Sequence, residues 1–278
     1  MGEQLRVVSW NIERGYRPAA TAARLVAAEA DLYLLTELDR GNKRTAGVDM
    51  VRVLEEALAG SITAPAFWTR EFRELDSIWR AIIRQGGPGG GEHGNAILSR
   101  RPLLAPRSRP LPTAAPLHWR RTTWIPELFE PREGGRRAQI AELELDGRTL
   151  TIVNTHLENW RCGWEHRRRQ LEAALAGLDT ERMILAGDMN PLGGVLRTIG
   201  SSAARPVVNA EVRQLRAFLA ERGLRDPFPD EAATIFEWGV RSKFDWLAIG
   251  PGLKASELVN ERTGLSDHNL LAATITLS

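Results

Sequence analysis

The chain has one cysteine, Cys162, in 278 residues. That excludes an internal disulfide and a thiolate cluster for zinc, so Cys162 reads as a plain free thiol. No apolar run is long enough to cross a bilayer, and Leu5 opens a strand pattern without a charged leader and long apolar segment before it. Both features predict a soluble, cytoplasmic protein with no stable membrane insertion. Gly2 lacks the downstream Ser or Thr of an acylation motif, since Arg6 stands in that place. An excess of one charge is lacking too. The 37 Lys and Arg face 35 Asp and Glu, a formal net charge of +2, so the molecule as a whole makes no strong electrostatic claim on nucleic acid or membrane. The glycine-rich run 86–91 has no lysine and no following helix, which makes it a poor phosphate loop. No internal repeat or low-complexity tail is present.

What is present suffices for a large core. Hydrophobic residues make up 43% of the chain, and no boundary divides it, so one domain over 1–278 is expected. Leu5–Ile12 alternates as a strand, the alanine-rich stretch from Pro18 to Ala30 reads as a helix, and Asp31–Glu37 is a nearly continuous apolar strand ending in a carboxylate. Val51, Leu54 and Leu58 have the spacing of one helix face within 48–59. A short buried strand is expected from Asn95. Arg137–Leu145 and Arg148–Leu157 flank Asp146-Gly147 as a hairpin. A helix over 163–178 should turn Leu171, Leu175 and Leu178 inward and leave Arg167, Arg168 and Arg169 largely outside. Strands are expected at 183–186, 233–238, 243–249 and 269–277, with a helix over 210–222.

Residues 100–137 are unlike the rest, with nine arginines, three glutamates and seven prolines around His118, Trp119, Trp124 and Phe129. Prolines at that density oppose a helix or a central strand. The segment reads as a long basic insertion that either guides an anionic substrate or wraps the sheet with solvated arginines; His118, Arg120, Arg121 and, beyond it, Trp160 are the candidate substrate contacts.

The chemistry is most concentrated in Leu185-Ala-Gly-Asp-Met-Asn-Pro191, where an apolar strand carries Asp188 and Asn190, two residues apart, into a loop. Such a pair can hold an ion or position water, or can simply make a turn before Pro191. Glu37 taken alone fits a solvated turn as well. The wider pattern argues for a site: Asn11, Glu37, Asn95, His156, Asp188, Asn190, Asp245, Asp267 and His268 all lie in or beside expected strands, mostly at their ends. Asp245, inside an apolar run, requires a partner.

In chain order these residues sit in Trp-Asn-Ile (10–12), Thr-Glu-Leu (36–38), Gly-Asn-Ala-Ile-Leu-Ser-Arg (94–100), Asn-Thr-His-Leu (154–157), Gly-Asp-Met-Asn (187–190), Phe-Asp-Trp (244–246) and Ser-Asp-His (266–268). Seven such motifs in this order, over nearly the whole chain, resemble the endonuclease/exonuclease/phosphatase superfamily of DNase I-like, metal-dependent phosphoesterases. The resemblance implies an α+β fold, a four-layer αββα sandwich of two mainly antiparallel sheets face to face with helices outside. It implies Mg²⁺, with Mn²⁺ as a substitute, held by Glu37 with Asn11 and Asp267. His268 takes the place of the base-side histidine and Asp245 of the carboxylate that fixes its tautomer; Asp188 orients or deprotonates water, Asn190 and His156 contact phosphate oxygens, and Asn95 supports them. Either Asp188 or the His268 pair is the proximate base. Apurinic-site endonucleases in that superfamily carry tyrosine where His156 stands, which disfavours abasic-site repair. The expected activity is hydrolysis of a phosphate ester by water, with a small or lipid-derived phosphodiester preferred and a DNase-like or RNase-like nuclease as the alternative. A noncatalytic binding module on the same fold is the reading from another class.

Overall fold

A computed structural model describes residues 2–74, 90–113, 132–159, 162–191, 210–237 and 240–278. The first sheet begins with β1 (Leu5–Arg14) and β2 (Leu32–Arg40), joined by helix α1 (Pro18–Val26). A helical crossover lets two strands run parallel, and β1 and β2 do so. Helix α2 (Met50–Leu58), capped by the Asp49 side chain on the Arg52 N–H, leads to β3 (Phe67–Glu74) and β4 (Glu92–Ser99). With β6 (Arg132–Gly134), β13 (Leu253–Glu261) and β14 (Leu270–Leu277), these strands form one sheet in the order β13-β14-β1-β2-β4-β3-β6.

The second sheet, β12-β9-β8-β7-β5, contains β5 (Leu104–Pro110), β7 (Arg137–Leu145), β8 (Arg148–His156), β9 (Met183–Asp188) and β12 (Asp245–Ile249). β7 and β8 are the expected hairpin. β8 and β9 run parallel, connected through α3 (Gly163–Leu175), and α4 (Ala210–Ala220) follows. A small two-stranded ribbon, β10 (Ile235–Glu237) and β11 (Val240–Ser242), leads into β12.

Strand parity sets the layers. Leu5, Val7, Leu32 and Leu34 of the first sheet pack with Leu143, Ile152, Ile184 and Leu247 of the second, making the central core. The residues between them point the other way: Val8, Trp10, Tyr33 and Leu35 pack with Leu25 and Leu54 of α1 and α2. Ala138, Val153, Met183 and Leu185 pack with Leu171, Val212 and Leu215 of α3 and α4. The architecture is therefore the expected four-layer sandwich, with both sheets mixed.

Several local expectations are corrected. Segment 100–137 is not an irregular insertion at its ends, because β5 and β6 pair at sheet edges. Pro106 and Pro110 are tolerated there because an edge strand leaves some of its N–H positions unpaired. β4 begins three residues before Asn95. β3 and β13 were not expected; β13 is a mostly exposed, polar edge whose pattern does not look apolar. Arg167 is fully buried rather than outside, paired with Glu211 and donating from Nη1 to the Asn159 carbonyl at 2.8 Å. The expected contacts His118, Arg120, Arg121 and Trp160 lie outside the described residues, as does most of the glycine run. Among the described residues no helix is long and apolar enough to cross a membrane.

Candidate active site

The topology brings distant polar residues to one rim of the sandwich. β8 and β9 end there with His156 and Asp188, β1 and β2 carry Asn11 and Glu37 three residues before their last residues, and β12 and β14 begin there, at Asp245 and two residues after His268. Register does the rest: His156 lies beside Asp188 in the parallel pair β8–β9, and Asp245 lies opposite Asp188 in the antiparallel pair β9–β12. Gly187 is required in that register. Its φ is +130°, and a Cβ on it would meet the Thr155 carbonyl oxygen at 1.9 Å.

Asp188 is the hub. Its Oδ2 accepts from Asn11 Nδ2 at 3.2 Å and lies 3.4 Å from His156 Nε2 and 3.7 Å from His268 Nε2; Oδ1 accepts from the Asn190 N–H at 2.9 Å. His268 Nδ1 donates to Asp245 Oδ2 at 2.7 Å, which supplies the partner that a carboxylate in an apolar run requires. His268 Nε2 is 4.0 Å from Asp267 Oδ1. Glu37 stands beyond His156, with Oε1 3.9 Å from its Nε2. Glu37 and Asn190 adopt left-handed backbone, φ 59° and 49°, which costs energy for non-glycine residues and aims these side chains off the regular pleat.

Asn190 Nδ2 donates to the Leu157 carbonyl at 3.1 Å, tying the ends of β8 and β9. Asn11 Oδ1 accepts from the Glu13 N–H at 3.0 Å. Asn95 is fully buried, and its carbonyl accepts from Gln139 Nε2 at 3.2 Å, while its amide atoms have no partner among the described residues. Two further residues hold the site. Ser266 Oγ donates to the Asn11 carbonyl at 2.8 Å and accepts from the His268 N–H at 3.0 Å; Thr234 Oγ1 accepts from the N–H groups of Phe244 and Asp245 at 2.9 Å. Ser266 belonged to a visible motif. Thr234 carried no sequence signal, because its role depends on β12 lying beside it.

Electrostatics divide the two histidines. Burial opposes charge on His268, but the Asp245 carboxylate, by charge and by hydrogen bond, and Asp188 push it well above the ordinary histidine value. Burial together with the Arg136 charge pushes His156 well below it. Burial raises Asp188, against the pull of His268 and with the push of Asp245, to about 7. Burial also opposes ionisation of Glu37, yet His156 and His93, when protonated, and Arg14 hold its carboxyl far below the usual range.

The donor set fits a divalent ion. Glu37, Asp188, Asp245 and Asp267 crowd hard oxygens at one rim, and the raised Asp188 is the acid that an added cation would relieve. Among the described residues, the group whose ligand atoms all lie within 4.8 Å of one another is Asp188, Asp245 and His268. His268 Nδ1 is already committed to Asp245, so that group reads better as a proton relay than as a closed metal cage.

The sequence pattern of the Endonuclease/Exonuclease/phosphatase family matches residues 8–268. The chain belongs to that family. Its members are hydrolytic phosphoesterases. None of the curated proteins matches it in sequence. In structure it is similar to an endonuclease/exonuclease/phosphatase from Beutenbergia cavernae, at TM-score 0.70 and 19% identity over 99% of this chain and 72% of that one. It is also similar to ANGEL2, a 2',3'-cyclic phosphatase solved with adenosine-2',3'-vanadate (TM-score 0.62, 14% identity, 99% and 96% covered). A third similar structure is D. rerio TDP2 complexed with single-strand DNA product (TM-score 0.53, 19% identity, 99% of both chains). At such identities these likenesses speak to the fold.

Proposed function

We propose that residues 1–278 act as one catalytic domain, a divalent-metal-dependent phosphodiesterase that hydrolyses its substrate by direct attack of water. The observation that carries this reading is the buried relay Asp245–His268–Asp188, 2.7 Å and 3.7 Å across its two steps, at the rim where Glu37 and Asp267 also stand. A Mg²⁺ ion, or Mn²⁺ in its place, held by Glu37 with Asn11 and Asp267, would supply charge to offset that developing on the phosphoryl and leaving oxygens.

The chain's own groups do the rest. Asp245 accepts the Nδ1 hydrogen of His268 and so turns Nε2 toward Asp188. Because His268 is biased toward its cation and Asp188 has the higher proton affinity of an ordinary base, Asp188 takes the proton of the attacking water and the imidazolium stabilises the charge that forms. His156, held neutral by its surroundings, donates a hydrogen bond to a phosphate oxygen without adding charge. Asn190, anchored on Leu157, offers its remaining amide hydrogen to the same group.

A small or lipid-derived phosphodiester is the preferred substrate, since the net charge of +2 provides little general attraction for a long polyanion. The nuclease alternative draws on TDP2, a similar structure complexed with a single-strand DNA product. The deciding experiment is Mg²⁺- or Mn²⁺-dependent release of nitrophenol from bis(4-nitrophenyl) phosphate, followed by cleavage of single- and double-stranded DNA and RNA from low to high salt. Metal-dependent release with slow, salt-insensitive nucleic-acid cleavage is expected. No release with either metal overturns the catalytic reading; fast, strongly salt-sensitive cleavage that Arg120→Ala with Arg121→Ala flattens selects the nuclease.

A further inference from the structure

A second histidine–carboxylate pair lies on the same sheet rim, on the opposite side of β2 from His268. His93 of β4 stands directly across from Asp39 of β2, and its Nδ1 is 2.8 Å from Asp39 Oδ1. Both are buried. Arg44 forks onto the same carboxylate, Nε to Oδ2 at 2.6 Å and Nη2 to Oδ1 at 2.7 Å, and Nη2 also reaches Glu74 at 3.1 Å. The Phe72 ring stacks against His93, with centroids 6.4 Å apart and planes at 28°. The imidazole is thus fixed in place and in rotation.

Its tautomer is fixed too. A carboxylate only accepts, so at 2.8 Å Nδ1 carries the hydrogen; otherwise two lone pairs would face each other. Arg44 Nη2, 3.3 Å from the same nitrogen, then directs its hydrogen to Asp39 instead. This tautomer leaves a lone pair on Nε2, which meets no partner among the described residues. Asp39 follows Glu37 by two residues on β2, and His93 pairs with Asp39 across the sheet, so the lone pair belongs to the same end of the sheet as the proposed reaction.

We propose that His93 is a substrate-positioning residue whose Nε2 accepts a hydrogen bond from a hydroxyl on the alcohol half of the phosphoester, and that the substrate is an ester of a polyol such as glycerol or a sugar. The inference rests on the phosphoesterase reading above. A fixed acceptor of this kind discriminates because a ligand without the hydroxyl leaves it unpaired. Asp39 and Arg44 act through His93, holding the ring and its hydrogen.

The test measures glycerol 3-phosphate and propyl phosphate as competitive inhibitors of bis(4-nitrophenyl) phosphate hydrolysis by the metal-loaded enzyme. The wild type is expected to bind glycerol 3-phosphate about tenfold more tightly than propyl phosphate. His93→Ala should bring the two inhibition constants together by weakening glycerol 3-phosphate alone, and His93→Gln, whose amide oxygen also accepts, should restore part of the gap. Asp39→Asn, which keeps the ring but releases its tautomer, should narrow the gap as well and serves if His93→Ala does not fold. Equal constants in the wild type, or variants that weaken both inhibitors in parallel, overturn the proposal. Absence of nitrophenol release in the wild type instead sinks the phosphoesterase reading beneath it.

Discussion

His268 and His156 are both buried, both at strand ends, and both within 4 Å of Asp188, yet their surroundings drive them in opposite directions. His268 has Asp245 on its second nitrogen. His156 has no partner on Nδ1 among the described residues and has the Arg136 charge nearby. Burial penalises the charged form of each, so burial does not decide the outcome; the partner on the far nitrogen does. One rim thus holds a histidine suited to carry charge and another suited to remain neutral.

The largest effect expected from breaking that contrast is His268→Ala. Turnover should fall by about 10²–10⁴-fold, the usual worth of a proton-transfer group, with KM little changed. Steady-state kinetics check this, and a defect in KM alone contradicts the role. Glu37→Ala should come next, as a loss of activity that added Mg²⁺ partly rescues; metal titration that gives unchanged affinity removes Glu37 from the ligand set.

Asp188 gives a subtler handle. Its folded-state value, about 7, lies above the ordinary 3.8, so the folded protein binds the extra proton and loses stability as pH rises through that window. A bound cation should replace that proton. Mg²⁺ is therefore expected to raise Tm more at pH 8 than at pH 6, and an equal rise at both argues that the ion does not sit near Asp188.

The smallest effect concerns His156. Its folded value is depressed below 6.5, so the unfolded chain takes up a proton first as pH falls through 6.5, and stability drains away on the acid side. His268 has the opposite sign: its contribution is present below 6.5 and is lost as pH rises through its raised folded value. His156→Gln should therefore shrink the fall in Tm between pH 7 and pH 5 by about 2–4 °C for each kcal/mol recovered. Differential scanning calorimetry at the two pH values decides it, an undiminished fall showing that another group governs acid stability.

Much of this protein was legible along the chain. Alternation in Leu5–Ile12 and in the 137–157 hairpin fixed which side chains enter the central core and which meet the helices, because strand parity is a local property. Polar residues at strand ends marked the rim before any contact was visible. Where local pattern carried no information, the reading went wrong. Arg167 looks like a surface charge in its helix, and Glu211, 44 residues on, together with the Asn159 carbonyl makes its burial tolerable. The prolines of β5 argue against a strand until a sheet edge makes them harmless.

The ordered motifs and the residue types of the site are written along the chain, and the two-sheet sandwich follows from the family those motifs resemble. How those residues are used depends on tertiary contacts: Asn11 donates to Asp188 across 177 residues, Asp245 rather than Asp267 takes His268 Nδ1, and His156 has no such partner among the described residues. The reason is physical. Periodicity is written in neighbours along the chain, whereas a hydrogen-bond partner, and with it the charge state of a buried group, is set by register between strands far apart in sequence.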